Sequence, residues 1–285
     1  MKNTLKLHAW DDGASADPTA SAGAATQLSG IIGGTTTPMS LYLTEPGDTA
    51  AISLTDLNQG TIADCFVIAA IGELAFWHPN AIQTMIVSNA DGTETVTLYQ
   101  MQSVTSTTTT TTTSHHQTVT KTITSTTMTE KPTGINVTNN FPAGSVNTNG
   151  QDMVNGVHEI WPSVLEQAVA TLDGGYGAIS NGGDPTQVMT QLTGKPASYY
   201  SPVGITAAEL QNWQTAGDLI VMDTYATGAL PDSLVNWHCY MYQGLTNAGG
   251  TNMVHLGNPW GYDQPSLIPL SQLSSGITAI AVGQA

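Results

Sequence analysis

From Phe66 to Trp77 the chain is apolar at every position except Gly72 and Glu73. The run is too long for an ordinary strand and apolar on nearly every face, so it predicts a central buried helix at about 64–77. Other helices follow from their punctuation. Val157, Trp161, Val164, Leu165, Ala168 and Leu172 form one helical stripe, stopped by Asp173-Gly174-Gly175. Asp184-Pro185 opens a short helix ending at Gly194, and Thr206 with Glu209 forms a capping box for a helix ending at Gly217. Between Glu94 and Met128, Thr and Val alternate around a threonine run, which predicts a β-hairpin with a long polar tip containing His115 and His116. Without cysteine or acidic neighbours, that histidine pair reads as part of a solvated loop. Strands are predicted at 219–224, 237–245, 253–256 and 277–282, with a turn at 246–252. Residues 1–45, poor in large apolar side chains, read as a poorly structured lead-in with one short packed segment near Met39–Leu43. The class is α+β: a helical part at 46–198 carrying the hairpin insertion, then a β-rich part at 199–285.

Composition narrows the function. The 285 residues include five lysines, no arginine and 21 acidic residues, a net charge of −16. No basic stripe for nucleic acid can be built from this, and anionic membrane surfaces are disfavoured. The two cysteines, Cys65 and Cys239, are no disulfide scaffold. No stretch has the length of a membrane span, and the first residues lack a signal-peptide core. The expectation is a soluble protein, cytoplasmic or exported by a non-classical route. Its oligomeric state is not legible.

Cys65 falls where the apolar helix begins. There, unpaired backbone N–H groups and the positive end of the helix dipole favour thiolate over thiol. An isolated cysteine in an apolar run is by default a packing residue, so its partners decide. His238 shares a strand face with Tyr240 and Tyr242. Asn258 follows just past the return strand, in Asn258-Pro259-Trp260-Gly261. An Asn carbonyl accepting from one imidazole nitrogen leaves the other for the sulfur, a nucleophile–base–orienter arrangement.

In these residues the chain resembles the catalytic core of the calpain family of papain-like cysteine proteases. Gln59-Gly60-Thr61-Ile62-Ala63-Asp64-Cys65-Phe66 matches the family's Gln-Gly-x-x-Gly-Asp-Cys-Trp element. Trp161-Pro162-Ser163-Val164-Leu165-Glu166-Gln167-Ala168 matches its Trp-x-x-Leu-Leu-Glu-Lys-Ala helix. His238-Cys239-Tyr240 and Asn258-Pro259-Trp260-Gly261 match His-Ala-Tyr and Asn-Pro-Trp-Gly. The resemblance spans about 55–262 and implies a papain-like fold, a Cys-bearing helical lobe packed on a β-rich lobe, acting on protein or peptide substrates. It implies Cys65 as nucleophile, His238 as base then acid, and Asn258 as orienter. Gln59 and the Cys65 N–H would form the oxyanion hole, and Trp260 would cover the His–Asn bond. Asp64 reads as a helix-start residue. The chemistry requires no cofactor; family cores can bind calcium, and Asp56 matches one such position, leaving a calcium requirement open and other ligands unassigned. Papain-like clefts read mainly an apolar side chain two positions before the cut. Departures are Ala63 for Gly, strained if the backbone needs φ > 0, and Cys239 beside the base, which permits a Cys65–Cys239 disulfide if the site opens. Two other readings stand beside an active endopeptidase: an inactive calpain-like binding or scaffold module, and a threonine-rich surface domain. With no arginine in the chain, self-cleavage after arginine is excluded.

Overall fold

The structure, a computed structural model, describes residues 28–44, 48–114, 117–148, 153–231 and 233–285. In chain order the elements begin β1 (Leu28–Ile32), β2 (Thr35–Ser40), α1 (Cys65–Trp77), α2 (Pro79–Met85), β3 (Ile86–Ser88), β4 (Glu94–Ser114) and β5 (Gln117–Val137). Then come β6 (Asn140–Phe141), β7 (Met153–Val154), β8 (Val157–Glu159), α3 (Trp161–Leu172), α4 (Tyr176–Ile179), α5 (Pro185–Thr193), β9 (Ala197–Tyr200) and α6 (Ala207–Ala216). The series ends with β10 (Leu219–Thr224), β11 (Cys239–Ala248), β12 (Thr251–Gly257), β13 (Ile268–Pro269), α7 (Leu273–Gly276) and β14 (Ile277–Gly283). The content is mixed α+β.

The centre of the molecule is α1 against a six-stranded sheet of order β13-β12-β11-β10-β14-β9. Every α1 residue from Phe66 to Ala75 is buried, as an all-round apolar helix requires. The sheet alternates its faces with period two. Leu219, Val221, Met241 and Ala281 join the core around α1, while Ile220, Met222, Tyr240, Tyr242 and Ile280 form a second core beneath α6. Each large side chain so buried contributes about 1.5–3 kcal/mol. The close approach of α1 to β11 depends on Gly72, where an added Cβ would stand 2.1 Å from Met241 Sδ. Glu73, the lone charged residue of α1, is fully buried and its Oε2 accepts from Ile220 N at 2.9 Å. Burial holds this carboxyl well above its ordinary range, and its bond to Ile220 ties α1 to β10.

Three sequence expectations are corrected. Within the lead-in, residues 28–40 form a β-hairpin turned by Gly33 and Gly34, both at positive φ. It buries Ile32 and, completely, Met39, while Ile31 stays exposed, and β2 pairs in parallel with β8; residues 1–27 lie outside the described set. The threonine run is strand rather than loop: β4 and β5 pair without interruption from Glu94↔Val137 to Ser114↔Gln117. Among the described residues this hairpin is anchored at its base, through Val96, Leu98, Ile135 and Val137, whereas the described side chains of β4 beyond Gln100 are exposed. His115 and His116 lie outside the described residues. Finally, the stripe read as one helix over 157–172 is split. Val157–Glu159 is strand β8, and the helix begins at Trp161 with Pro162 in its first turn, a position where proline's missing N–H costs nothing.

The remaining punctuation reads as expected. Asp184 caps α5, Gly194 ends it in the left-handed conformation, and the Thr206–Glu209 box caps α6. The turn placed at 246–252 contracts to Gly249-Gly250, both at positive φ, with strand on either side. β9 straddles the boundary placed at 198/199 and pairs with β14. Among the described residues no single helix is long and apolar enough to cross a membrane.

Candidate active site

Cys65 is the first residue of α1, so its N–H has no partner within the helix. Asp64 holds the N-cap position, yet its side chain makes no capping bond. It turns inward instead: Asp64 Oδ1 accepts from Gln59 Nε2 at 3.1 Å, and the carboxyl hydrogen-bonds Glu166 of α3. Asp64 and Glu166 are both fully buried. Glu166 is further held by Val146 N, at 3.1 Å to each carboxylate oxygen, and by the Tyr176 hydroxyl at 3.2 Å. Burial pushes Asp64 up to about 7, partly offset by its hydrogen bond with Glu166, and pushes Glu166 well above its usual range, with Asp64 raising it further. No lysine contributes to either, so the pair shares at least one proton.

His238 is fixed from both sides. Its backbone N–H donates to Thr224 Oγ1 at 2.9 Å and its carbonyl accepts from Thr224 N at 2.9 Å. Its Nε2 lies 2.9 Å from Asn258 Oδ1. Tyr240 meets the ring edge-on at 4.8 Å, and Trp260 covers it at 4.7 Å. Asn258 is held in turn, donating Nδ2 to Asp263 O at 3.1 Å and its N–H to Gln264 Oε1 at 2.8 Å. The Asn258–Gly261 turn is closed by Gly261 N donating to Asn258 O at 3.0 Å, with Gly261 at φ 79°. Gln59 N donates to Pro259 O at 2.9 Å, joining the segment before the cysteine to the asparagine turn.

With Nε2 engaged by Asn258, the ring presents Nδ1 to the sulfur. The Cys65 thiol is lowered to about 5, first by the Cys239 side chain that lies against it and then by His238, overcoming an opposing effect of burial. Cys239 is buried, hydrogen-bonded through Sγ to Asp223 Oδ1 at 3.2 Å, and its own thiol is raised well above the usual range. Both cysteines are free. Cys65, His238, Cys239, Gln59 and Trp260 all line a cleft of about 1020 Å³. The structure thus brings together Cys65, His238, Asn258, Gln59 and Trp260, with Asn258 buried behind the ring.

Several site details depart from expectation or were absent from it. Gln59 is in place, but its Nε2 donates to Ile62 O at 2.8 Å as well as to Asp64, while its Oε1 is buried without a partner. Ala63 is outside the positive-φ region, so alanine stands there without strain; its carbonyl accepts from Gly182 N at 3.0 Å. Asp56, the position matched to a family calcium ligand, is engaged by the protein's own donors. Its carboxylate accepts from Ser53 N and Oγ and, at 3.1 Å, from Trp161 Nε1, and no cluster of three or more acidic, histidine or cysteine ligands occurs among the described residues. Sequence reading missed the Asp64–Glu166 pair and Asp223. Glu166 had a signal, being the one acid inside an otherwise buried stripe; Asp223 had none.

A family model for the calpain family cysteine proteases matches residues 46–265. Among curated proteins no relative matches the chain.

Proposed function

The chain belongs to the calpain family of cysteine proteases, and on that footing we propose that it is an active cysteine endopeptidase of papain-like fold. The observation that carries this is the His238–Asn258 hydrogen bond beside a depressed Cys65 thiol in an open cleft. Asn258 holds the imidazole so that Nδ1 faces the sulfur. The Cys65 thiolate attacks the peptide carbonyl, and the Cys65 N–H at the start of α1 stabilises the developing oxyanion. Gln59 supplies the second donor by exchanging one Nε2 bond, to Ile62 O or Asp64, for the oxyanion. His238, protonated on Nδ1, gives that proton to the leaving amine and then draws one from water, which hydrolyses the thioester. Trp260 excludes water from the His238–Asn258 bond.

The test is cleavage of an unstructured protein substrate, with and without a calcium chelator, by wild type and Cys65→Ser. Wild type cleaves and Cys65→Ser does not; a peptidyl epoxide labels Cys65 in wild type. A folded sample that neither cleaves nor labels under either condition contradicts the proposal and leaves the non-catalytic binding module.

A further inference from the structure

The cleft around Cys65 is lined by glycines, threonines, apolar and aromatic residues and neutral amides; among the described residues that line it Asp223 is the only carboxylate, and there is no lysine or arginine. Asp223 sits on β10 directly across from Cys239, and the strand's alternation puts it on the face of Leu219 and Val221, the side packed against α1. Its contacts are both neutral: Cys239 Sγ at 3.2 Å and the Tyr199 hydroxyl, which also bonds Asp184. Asp184, at the N-cap of α5 beside Gly182-Gly183 of the cleft wall, adds a second negative charge rather than a counter-ion. A carboxylate withdrawn from water without a cation is costly. The charge it lacks is one that a substrate side chain can bring.

Resting on the peptidase reading above, we infer that Asp223 is a specificity-determining residue that selects a lysine or arginine side chain next to the scissile bond. A cation placed there replaces lost hydration with a charge-assisted hydrogen bond, whereas a leucine leaves the carboxylate unpaired, the asymmetry by which enzymes discriminate most strongly. The protein's own composition fits such a selectivity. It has no arginine and five lysines in 285 residues, and of these Lys121 and Lys131 lie within the paired strand β5, where the backbone is not free to enter a cleft. The net charge of −16 draws cationic peptides toward the molecule.

Burial and the neighbouring Cys65 and Asp184 charges, partly offset by bonds from Cys239 and Tyr199, hold Asp223 at about 6. The selectivity therefore rises with pH through that value. Those four groups are the titratable ones facing Asp223, from α1, the α5 cap, β11 and β9. The experiment compares kcat/KM of the full chain for matched fluorogenic peptides carrying Arg, Lys, Leu or Glu at each position flanking the cut. Wild type is expected to favour Arg or Lys over Leu at least tenfold at one position, with the ratio growing from about pH 5 to about pH 8. Asp223→Asn is expected to collapse the ratio at least tenfold. A wild-type ratio near unity at every position and pH overturns the inference without needing the variant, as does an unchanged ratio in Asp223→Asn. Failure to cleave any of the peptides, with no epoxide labelling of Cys65, overturns the peptidase reading and this inference with it. Labelling with indifferent cleavage overturns the inference alone.

Discussion

Replacing Asp64 by asparagine is predicted to weaken a pH dependence of stability that the wild type carries strongly. Asp64 and Glu166 are buried face to face with no cation, and Asp64 stands at about 7 against an ordinary 3.8. Between those values the native protein keeps a proton that the unfolded chain has already released, so stability falls as pH rises through the window. At 1.36 kcal/mol per pH unit, the full displacement corresponds to on the order of 4 kcal/mol, of which about 3 kcal/mol is crossed between about pH 5 and about pH 8. Asparagine mimics the protonated acid: its Oδ1 can still accept from Gln59 and its amide can donate to Glu166, with nothing to ionise. Urea unfolding of wild type and Asp64→Asn at both pH values measures the difference. The variant is expected to gain on the wild type by a few kcal/mol from the lower pH to the higher. Parallel pH dependences in the two proteins would refute the shared-proton arrangement.

Other consequences follow from packing and from the site. Gly72→Ala forces a methyl into Met241 and should cost about 1–3 kcal/mol by overpacking, seen as a lowered urea midpoint. Glu73→Gln, which keeps an acceptor for Ile220 N, should be tolerated, while Glu73→Ala strands that buried donor and should lose about 1–3 kcal/mol or more. Excising residues 104–127 of the β4–β5 hairpin and closing it with a two-residue turn should leave the melting temperature and peptidase activity close to wild type, because its buried anchors among the described residues lie at the base. Asn258→Ala removes the acceptor for His238 Nε2 and should lower kcat on peptides by tenfold or more with little change in fold, read by steady-state kinetics with circular dichroism as control.

What was legible in the sequence was whatever chemistry is local. A twelve-residue run apolar on nearly every face is too long for an ordinary strand and reads as a buried helix, a Thr-x-x-Glu box announces its own cap, and the Cys65, His238 and Asn258 motifs each carry their neighbours within a few residues. What was illegible depends on partners distant along the chain. Val157–Glu159 fits a helical stripe by periodicity, yet becomes strand because β2 offers Met39 and Ser40 as an edge. The threonine run resembles a loop by polarity, but two such runs facing each other pair their inward-pointing backbone groups as a continuous ladder. Asp64 reads as a helix cap until Glu166, from another helix, is found against it. Asp223 is one polar residue in a strand until the fold sets it in the cleft beside Cys65.

The central claim is that Cys65 is a thiolate poised by its neighbours, and the pH dependence of its alkylation tests this most directly. Reaction with iodoacetamide, followed by intact mass, should rise with pH through an inflection at about 5 in the wild type. The inflection should move upward in both Cys239→Ala and His238→Ala, the two partners that lower the thiol. A single inflection at about 8.5, the value of a free cysteine, shared by wild type and both variants, would contradict the account.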